Sequence, residues 1–293
     1  MPFDLTNIII QPLNSFSKQG VQMATLRTDL IHPVVSGNKW FKLRYYLEEA
    51  KRLKCNTIAS FGGAYSNHIV ALAAICQIEG LHAVGFIRGE AGDSPTLADA
   101  ISFGMTLQFI DREKYKYKEV VMAENSHPDW YWIPEGGFGQ LGAEGAATML
   151  SLHQIAPYTH IICACGTGTM MAGLVSGSLL HQSVVGISVL KNNSSLNDAV
   201  QSLLPLHSSK TFDTIHDYHF GGYAKHPSRL IAYMNELYLR EKVPTDLVYT
   251  AKLFYATEQL LLTNYFPNGA HILIIHSGGL QGNRSLTNQA LLY

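Results

Sequence analysis

Ile161-Ile162-Cys163-Ala164-Cys165-Gly166-Thr167-Gly168-Thr169-Met170-Met171-Ala172-Gly173 decides the fold class. Ile161–Cys165 is apolar without polar alternation, the pattern of a strand buried on both faces. Glycine and threonine break the run, and a helical pattern opens at Met170. Working outward, similar strand-like runs stand at Thr57–Phe61, Ala83–Ile87, Thr106–Ile110, Trp130–Ile133, Val184–Val189 and Ile272–Ile275. Helical stretches at Asn67–Glu79, Pro95–Phe103, Gln140–His153, Met170–Leu180 and Ser228–Glu241 lie between or beyond them. Buried strands alternating with helices predict an α/β architecture of three-layer αβα domains with mostly parallel, twisted sheets. The segment from Cys55 to Gly139 reads as a compact insertion. This gives a smaller α/β domain over residues 51–139 and a larger one from residues 1–50 and 140–293. A site between them would receive loops from the C-terminal ends of several strands, where open parallel sheets bind ligands.

Composition narrows the function classes. The 293 residues suffice for a large core, and a hydrophobic content of 47% argues against disorder. Twenty-one basic residues nearly balance 22 acidic ones, which leaves no electrostatic footprint for nucleic acid. The opening MPFDLTNIII lacks the basic n-region of a secretory signal, and the apolar stretch Ile69–Ile78 is too short to span a bilayer. Cys55, Cys76, Cys163 and Cys165 occupy apolar contexts and read as reduced, buried thiols of a cytoplasmic protein. Cys163-Ala164-Cys165 lacks a second ligand pair, the 13 histidines are scattered, and no metal is expected.

The chemistry-bearing residues fall into separate segments. Ser36-Gly37-Asn38-Lys39-Trp40-Phe41-Lys42 sets Lys39 beside a flexible turn at a helix start, with Lys42 on the same face one turn later. A lone lysine there would be read as a surface residue. A second ammonium nearby would lower the pKa of Lys39 and favour its free amine. Gly166-Thr167-Gly168-Thr169 is neither a P-loop, whose lysine is missing, nor a dinucleotide fingerprint, whose spacing differs. By itself it is either a nest of backbone amides and hydroxyls for one phosphate monoester or a plain glycine-rich turn. An amine nucleophile together with a phosphate cradle is what an enzyme needs to hold pyridoxal phosphate as a Schiff base.

Phe61-Gly62-Gly63-Ala64-Tyr65-Ser66-Asn67-His68 follows a strand and precedes a helix. Capping explains Ser66 or Asn67, but not the whole cluster of glycines, phenol, hydroxyl, amide and imidazole. It reads as a substrate or cofactor loop whose helix-start amides suit a carboxylate. Asp246-Leu247-Val248-Tyr249-Thr250 and Ile275-His276-Ser277-Gly278-Gly279 complete the set. Tyr249 has a core-aromatic alternative, and Ser277 stands where a hydroxyl would meet a ring nitrogen.

With these motifs in place, the chain resembles the pyridoxal-phosphate family of D-cysteine desulfhydrase and 1-aminocyclopropane-1-carboxylate deaminase, which has the tryptophan-synthase-β-like fold. The likeness rests on S-G-N-K-W-F-K-L, F-G-G-A-Y-S-N-H, I-P-E-G-G-F-G-Q-L-G-A-E-G, C-G-T-G-T-M-M-A-G, D-L-V-Y-T-A-K and H-S-G-G, and covers most of the chain. It implies that the larger domain binds the cofactor and that Lys39 carries it. Lys42 and the segment Gly166, Thr167, Gly168 and Thr169 would hold its phosphate, and Asn67 its 3′-oxygen. Ser66 matches a serine at the substrate carboxylate or proton-transfer position. Tyr249 matches the tyrosine stacked beside the ring, and Tyr223 in Gly221-Gly222-Tyr223 looks like a second active-site tyrosine. A homodimer is implied in the same way.

One departure bears on the reaction. The deaminases have a glutamate after the Tyr249 equivalent, paired with the pyridine nitrogen, whereas this chain has Thr250, as the desulfhydrase branch does. A hydroxyl from Thr250 or Ser277 makes the ring a weaker electron sink, which suffices when a good leaving group departs from Cβ. The resemblance thus implies β-elimination from a small amino acid, D-cysteine foremost, giving pyruvate, sulfide and ammonia. Lys39, assisted by Ser66 or Tyr249, would remove the α-proton. His68 and Phe138-Gly139-Gln140 also depart from the family pattern and bear on the substrate. The rivals are cyclopropane-ring opening to 2-oxobutanoate, a racemase or dehydratase on the same fold, and a non-catalytic cofactor-binding protein.

Overall fold

A computed structural model describes residues 3–16, 20–206, 208–286 and 290–293. In chain order the principal elements begin with β1 (Ile10–Pro12), β2 (Gln22–Leu26), α1 (Asn38–Arg52), β3 (Thr57–Gly62) and α2 (Asn67–Glu79). Next come β4 (His82–Arg88), α3 (Pro95–Ser102), β5 (Thr106–Ile110), α4 (Lys118–Glu124) and β6 (Trp130–Ile133). The chain continues through α5 (Gln140–Ala147), β7 (His160–Cys165), α6 (Thr169–Gly177), β8 (Ser183–Ser188) and α7 (Leu196–Gln201). It closes with β9 (Phe212–Ile215), α8 (Ser228–Glu241), α9 (Thr250–Leu262) and β10 (His271–Ile275).

These strands form two sheets, a four-stranded one in the order β5-β4-β3-β6 and a six-stranded one in the order β1-β2-β10-β7-β8-β9. Every pairing is parallel except β1 with β2, in register Ile10 opposite Leu26. The fold is the α/β, three-layer arrangement expected from the sequence. One core cluster lies between the facing layers and draws on α1, α2, α5 and α6, with Phe41, Leu72, Ala146 and Leu174 all excluded from solvent. α2 is buried along Asn67–Cys76, so its sequence is apolar nearly all round. The far face of the six-stranded sheet is covered by Leu237 of α8 and Leu253, Phe254 and Leu260 of α9. An aromatic cluster closes the far face of the smaller sheet, where Phe61 stacks on Trp132 with ring centroids 5.4 Å apart.

Elements without a strong local signal were the ones not foreseen. β2 (QMATL) and β9 (FDTI) are short, and α9 begins directly after the apolar-aromatic run Leu247–Tyr249, which masks its start. The helix expected over Gln140–His153 ends at Ala147 and tightens into a 3₁₀ segment, Thr148–Leu152. There the Thr148 hydroxyl donates to the Gly145 carbonyl at 2.7 Å, offering the backbone a partner other than the helical ladder. The helix expected over Met170–Leu180 stops at Gly177 because Ser178 is extended, with ψ 159°. No helix among the described residues is long and apolar enough to cross a membrane.

α1, which carries Lys39 and Lys42, lies directly on the backbone of α5. A methyl group at Gly145 would overlap the Phe41 carbonyl. Gly145→Ala is therefore expected to destabilise the protein by about 1–3 kcal/mol, the usual cost of forcing a methyl into a packed core. Urea unfolding measures this, and an unchanged midpoint would show that the spacing between α1 and α5 yields easily.

Candidate active site

The C-terminal ends of β3, β7 and β10 and the start of α1 converge on one cleft of about 800 Å³ between the two sheets. Its floor is set by an interlock of two turns. Gly37 has φ +61°, and a side chain there would collide with the Ser277 carbonyl; Gly278 has φ +73° and meets Ser36 as closely. The Asn38 amide donates to the Ser277 carbonyl at 3.2 Å and the Gly37 amide to the Thr28 carbonyl at 3.1 Å. The end of β10 thereby fixes the first turn of α1, and Lys39 with it.

Lys39 Nζ donates to Asn38 Oδ1 at 2.6 Å and lies 5.8 Å from the centroid of the Tyr249 ring. Burial lowers its pKa to about 8, opposed by the attraction of the Asp246 carboxylate. Lys42 donates to the Gly136 carbonyl and is held well below the usual lysine value, first by burial and then by repulsion from Lys39. Desolvation thus does to Lys39 what the sequence ascribed to its cationic neighbour. The consequence is the one expected, an amine that deprotonates near neutrality.

Ser66 caps α2 by accepting from the Ile69 amide at 3.4 Å. Asn67, next in line, is 8% exposed; its Nδ2 donates to the Gly279 carbonyl at 3.4 Å, while its buried Oδ1 has no partner. His68 pairs through Nε2 with the Ser60 hydroxyl at 2.8 Å. Ser60 spends its own proton on the Ile133 carbonyl, also at 2.8 Å, so the hydrogen-bond network assigns the proton of His68 to Nε2. His68 Nδ1 is left buried and unpartnered in the cleft wall, and burial plus the two ammonium groups hold the ring neutral.

Gly166, Thr167 and Gly168 line the cleft opposite, with Gly168 at φ +83° as the residue before α6. The helical ladder begins with the Ala172 amide donating to the Gly168 carbonyl at 2.9 Å, so the preceding amides face the helix mouth. The Thr167 and Thr169 hydroxyls meet at 3.0 Å. Tyr249 closes the space above: a Cβ at Gly166 would stand 3.4 Å from its ring. Burial keeps the Tyr249 phenol protonated well above its ordinary range. Tyr223, 44% exposed at the lip, meets Tyr249 edge-on with centroids 6.4 Å apart.

Of the residues singled out from the sequence, the cleft wall gathers Lys39, Lys42, Ser66, Asn67, Gly166, Thr167, Gly168, Tyr223, Tyr249 and Ser277. Thr169 and Thr250 are not in it. Thr169 is fully buried as the first residue of α6. Thr250 was expected to offer its hydroxyl to a ring nitrogen, but that hydroxyl is consumed in a helix cap. It donates to Asp246 Oδ1 at 2.8 Å and accepts the Asp246 amide at 2.7 Å. Asp246 itself, fully buried, also accepts the amides of Val248, Tyr249 and Thr250 at 2.8–3.0 Å. This cap was overlooked, although an aspartate just ahead of a helix start is a readable signal. Arg88, Lys118 and Glu135 at the mouth were overlooked too; Lys118 and Glu135 pair at 3.1 Å, and no local pattern marks them.

The cleft fits a phosphorylated aromatic aldehyde. It offers an amine whose pKa is lowered to about 8, a helix mouth with the Thr167 hydroxyl for a dianion, an unpartnered buried amide oxygen and a space against Tyr249 that a side chain at Gly166 would crowd. Comparison with known proteins agrees: the model of the pyridoxal-phosphate-dependent enzyme family matches residues 5–278, and the chain belongs to that family. A Thermotoga maritima protein described as "Putative 1-aminocyclopropane-1-carboxylate deaminase" is 32% identical, covering 90% of this chain and 91% of its own. An Arabidopsis thaliana bifunctional D-cysteine desulfhydrase/1-aminocyclopropane-1-carboxylate deaminase is 28% identical, over 90% of this chain and 73% of its own. The crystal structure of an ACC deaminase homologue superposes with a TM-score of 0.81 at 26% identity, covering 94% of this chain and 90% of that one. The protein is thus a pyridoxal-phosphate-dependent enzyme of fold type II, in the group whose members carry deaminase and desulfhydrase names.

Because the free-amine fraction of Lys39 falls tenfold per pH unit below its pKa, cofactor uptake by the apo-protein is expected to slow roughly tenfold from pH 7 to pH 6 and to level off above about 8. Stopped-flow absorbance reads this directly. Lys39→Ala is expected to bind the cofactor without the covalent band, and a persisting band would remove Lys39 from its role.

Proposed function

We propose that this enzyme degrades a small amino acid by β-elimination, D-cysteine first among candidates. Cysteine and water would become pyruvate, ammonia and hydrogen sulfide. The observation that carries this reading is that Thr250, and no carboxylate, follows Tyr249, while the neighbouring Asp246 carboxylate is taken up by the cap of α9. Thr250 follows Tyr249 and is locked in the helix cap, and Asp246 is committed to four hydrogen bonds, which leaves the Ser277 hydroxyl. A hydroxyl partner leaves the ring a modest electron sink, adequate for expelling a thiol from Cβ.

Bound pyridoxal phosphate supplies the electron sink that makes the α-proton of an amino acid removable. The chain's own residues would do the rest. Lys39 would hold the cofactor, with Lys42, Gly166, Thr167, Gly168 and the amides at the mouth of α6 on its phosphate and Asn67 on its 3′-oxygen. The backbone amides at the start of α2, beside Ser66, suit the substrate carboxylate. With its pKa lowered to about 8, Lys39 is partly the free base near neutral pH and is suited to taking a proton from carbon. Tyr249, held in its protonated form, is instead suited to donating a hydrogen bond to the departing group, with Tyr223 behind it. A homodimer in solution is part of the same reading, and a light-scattering mass about twice 32.3 kDa would test it.

A second reading, ring opening of 1-aminocyclopropane-1-carboxylate to 2-oxobutanoate and ammonia, is favoured by the name of the 32%-identical relative. The two are separated by supplying each compound to the loaded enzyme and assaying sulfide, pyruvate and 2-oxobutanoate. Sulfide and pyruvate from D-cysteine, with a kcat/KM at least about tenfold above that for the cyclopropane, is the expected result. 2-Oxobutanoate as the dominant product would reverse the assignment.

A further inference from the structure

Lys252 lies in the first turn of α9, one turn beyond Tyr249, and has no solvent exposure. Its charge is poorly placed: burial disfavours an ammonium, and the positive end of a helix dipole lies beside it. Burial lowers its pKa to about 8, with the Asp246 carboxylate opposing. What the ammonium gains is two hydrogen bonds to a single segment, 3.0 Å to the His219 carbonyl and 2.7 Å to the Gly222 carbonyl.

That segment is conformationally unusual. Phe220, Gly221, Gly222 and Ala224 have φ values of 53°, 95°, 117° and 54°. Its own backbone bonds are turn bonds, Gly222 to the His219 carbonyl and Lys225 to the Gly222 carbonyl. Both of those carbonyls are the ones that Lys252 also holds. The segment docks on α9 a second time through Phe220, edge-on against Tyr255 at 4.9 Å. Immediately after these anchors it delivers Tyr223 to the cleft lip.

We propose that Lys252 is a positioning residue: from the helix that begins at Tyr249 it grips the His219 and Gly222 carbonyls and so sets Tyr223 over the cleft, against Tyr249. The part that concerns turnover rests on the proposed function; the part that concerns the turn does not. Lys252→Met keeps the chain length and removes the donors, whereas Lys252→Gln keeps an amide with two N–H groups.

The test pairs amide hydrogen exchange of residues 217–225, with and without pyridoxal phosphate, with steady-state kinetics of Lys252→Met, Lys252→Gln, Tyr223→Ala and the Lys252→Met/Tyr223→Ala pair. Exchange in Lys252→Met should rise at least about tenfold in 217–225 and stay unchanged in β7, β8 and β10. Its kcat should fall about tenfold with KM within about twofold, and adding it to Tyr223→Ala should cost nothing further. Lys252→Gln should restore both the protection and the rate. Unchanged exchange in the turn, general loss of protection, or losses that multiply in the double variant would each overturn the proposal. Should Lys252→Met not fold, Lys252→Ala takes its place beside Lys252→Gln: faster exchange in 217–225 of the alanine variant, restored in the glutamine variant, supports the grip, and equal exchange in the two refutes it. Absence of turnover with every amino acid would overturn the proposed function while leaving the exchange comparison to decide on Lys252.

Discussion

The contact between two turns, Ser36-Gly37 and Ser277-Gly278, is the constraint on which the site depends. One begins the helix that carries both lysines, and the other ends the strand at the centre of the larger sheet. They approach so closely that neither glycine has room for a side chain, and the Asn38 amide is bonded to the Ser277 carbonyl across the gap. Through that bond the end of β10 in the six-stranded sheet sets where the first turn of α1, and so Lys39, begins. Lys39 is thus placed through the backbone at the start of α1, which limits what its flexible side chain must do to reach a fixed partner.

Desolvation then sets the chemistry. Lys39, Lys42 and His68 share a wall in which burial lowers the proton affinity of each. The same burial raises that of Tyr249. One physical cause thus separates the groups into an amine ready to lose its proton and a phenol that keeps its own. Asp246 tempers the effect at Lys39 while it caps α9, so a residue whose evident task is structural also tunes the cleft.

The parts legible in the sequence were those in which the signal is local. Strand, glycine-threonine turn and helix follow one another within Ile161–Gly173, so the turn's place at a strand's C-terminal end could be read directly. Ser66 and Asn67 were legible for the same reason. Thr250 was misread because its partner is decided by a helix start that the apolar run Leu247–Tyr249 conceals; once α9 begins there, the hydroxyl turns back to Asp246. β2 and β9 were invisible because short strands are defined by the neighbours they pair with, β10 and β8. Arg88, Lys118 and Glu135 meet only through the packing of the smaller sheet, from β4, α4 and the loop after β6.

The fit of Gly145 against the Phe41 carbonyl also limits how this catalyst can diversify. A bulkier residue at that seam would press α1 away from α5 and shift Lys39 with it, so changes to the floor reach the cleft directly. The rim is under no such coupling: Tyr223 and Arg88 are exposed, and their side chains reach the cleft from turns and strand ends. New substrate preferences on this scaffold are therefore accessible through the rim, while the floor is inherited whole.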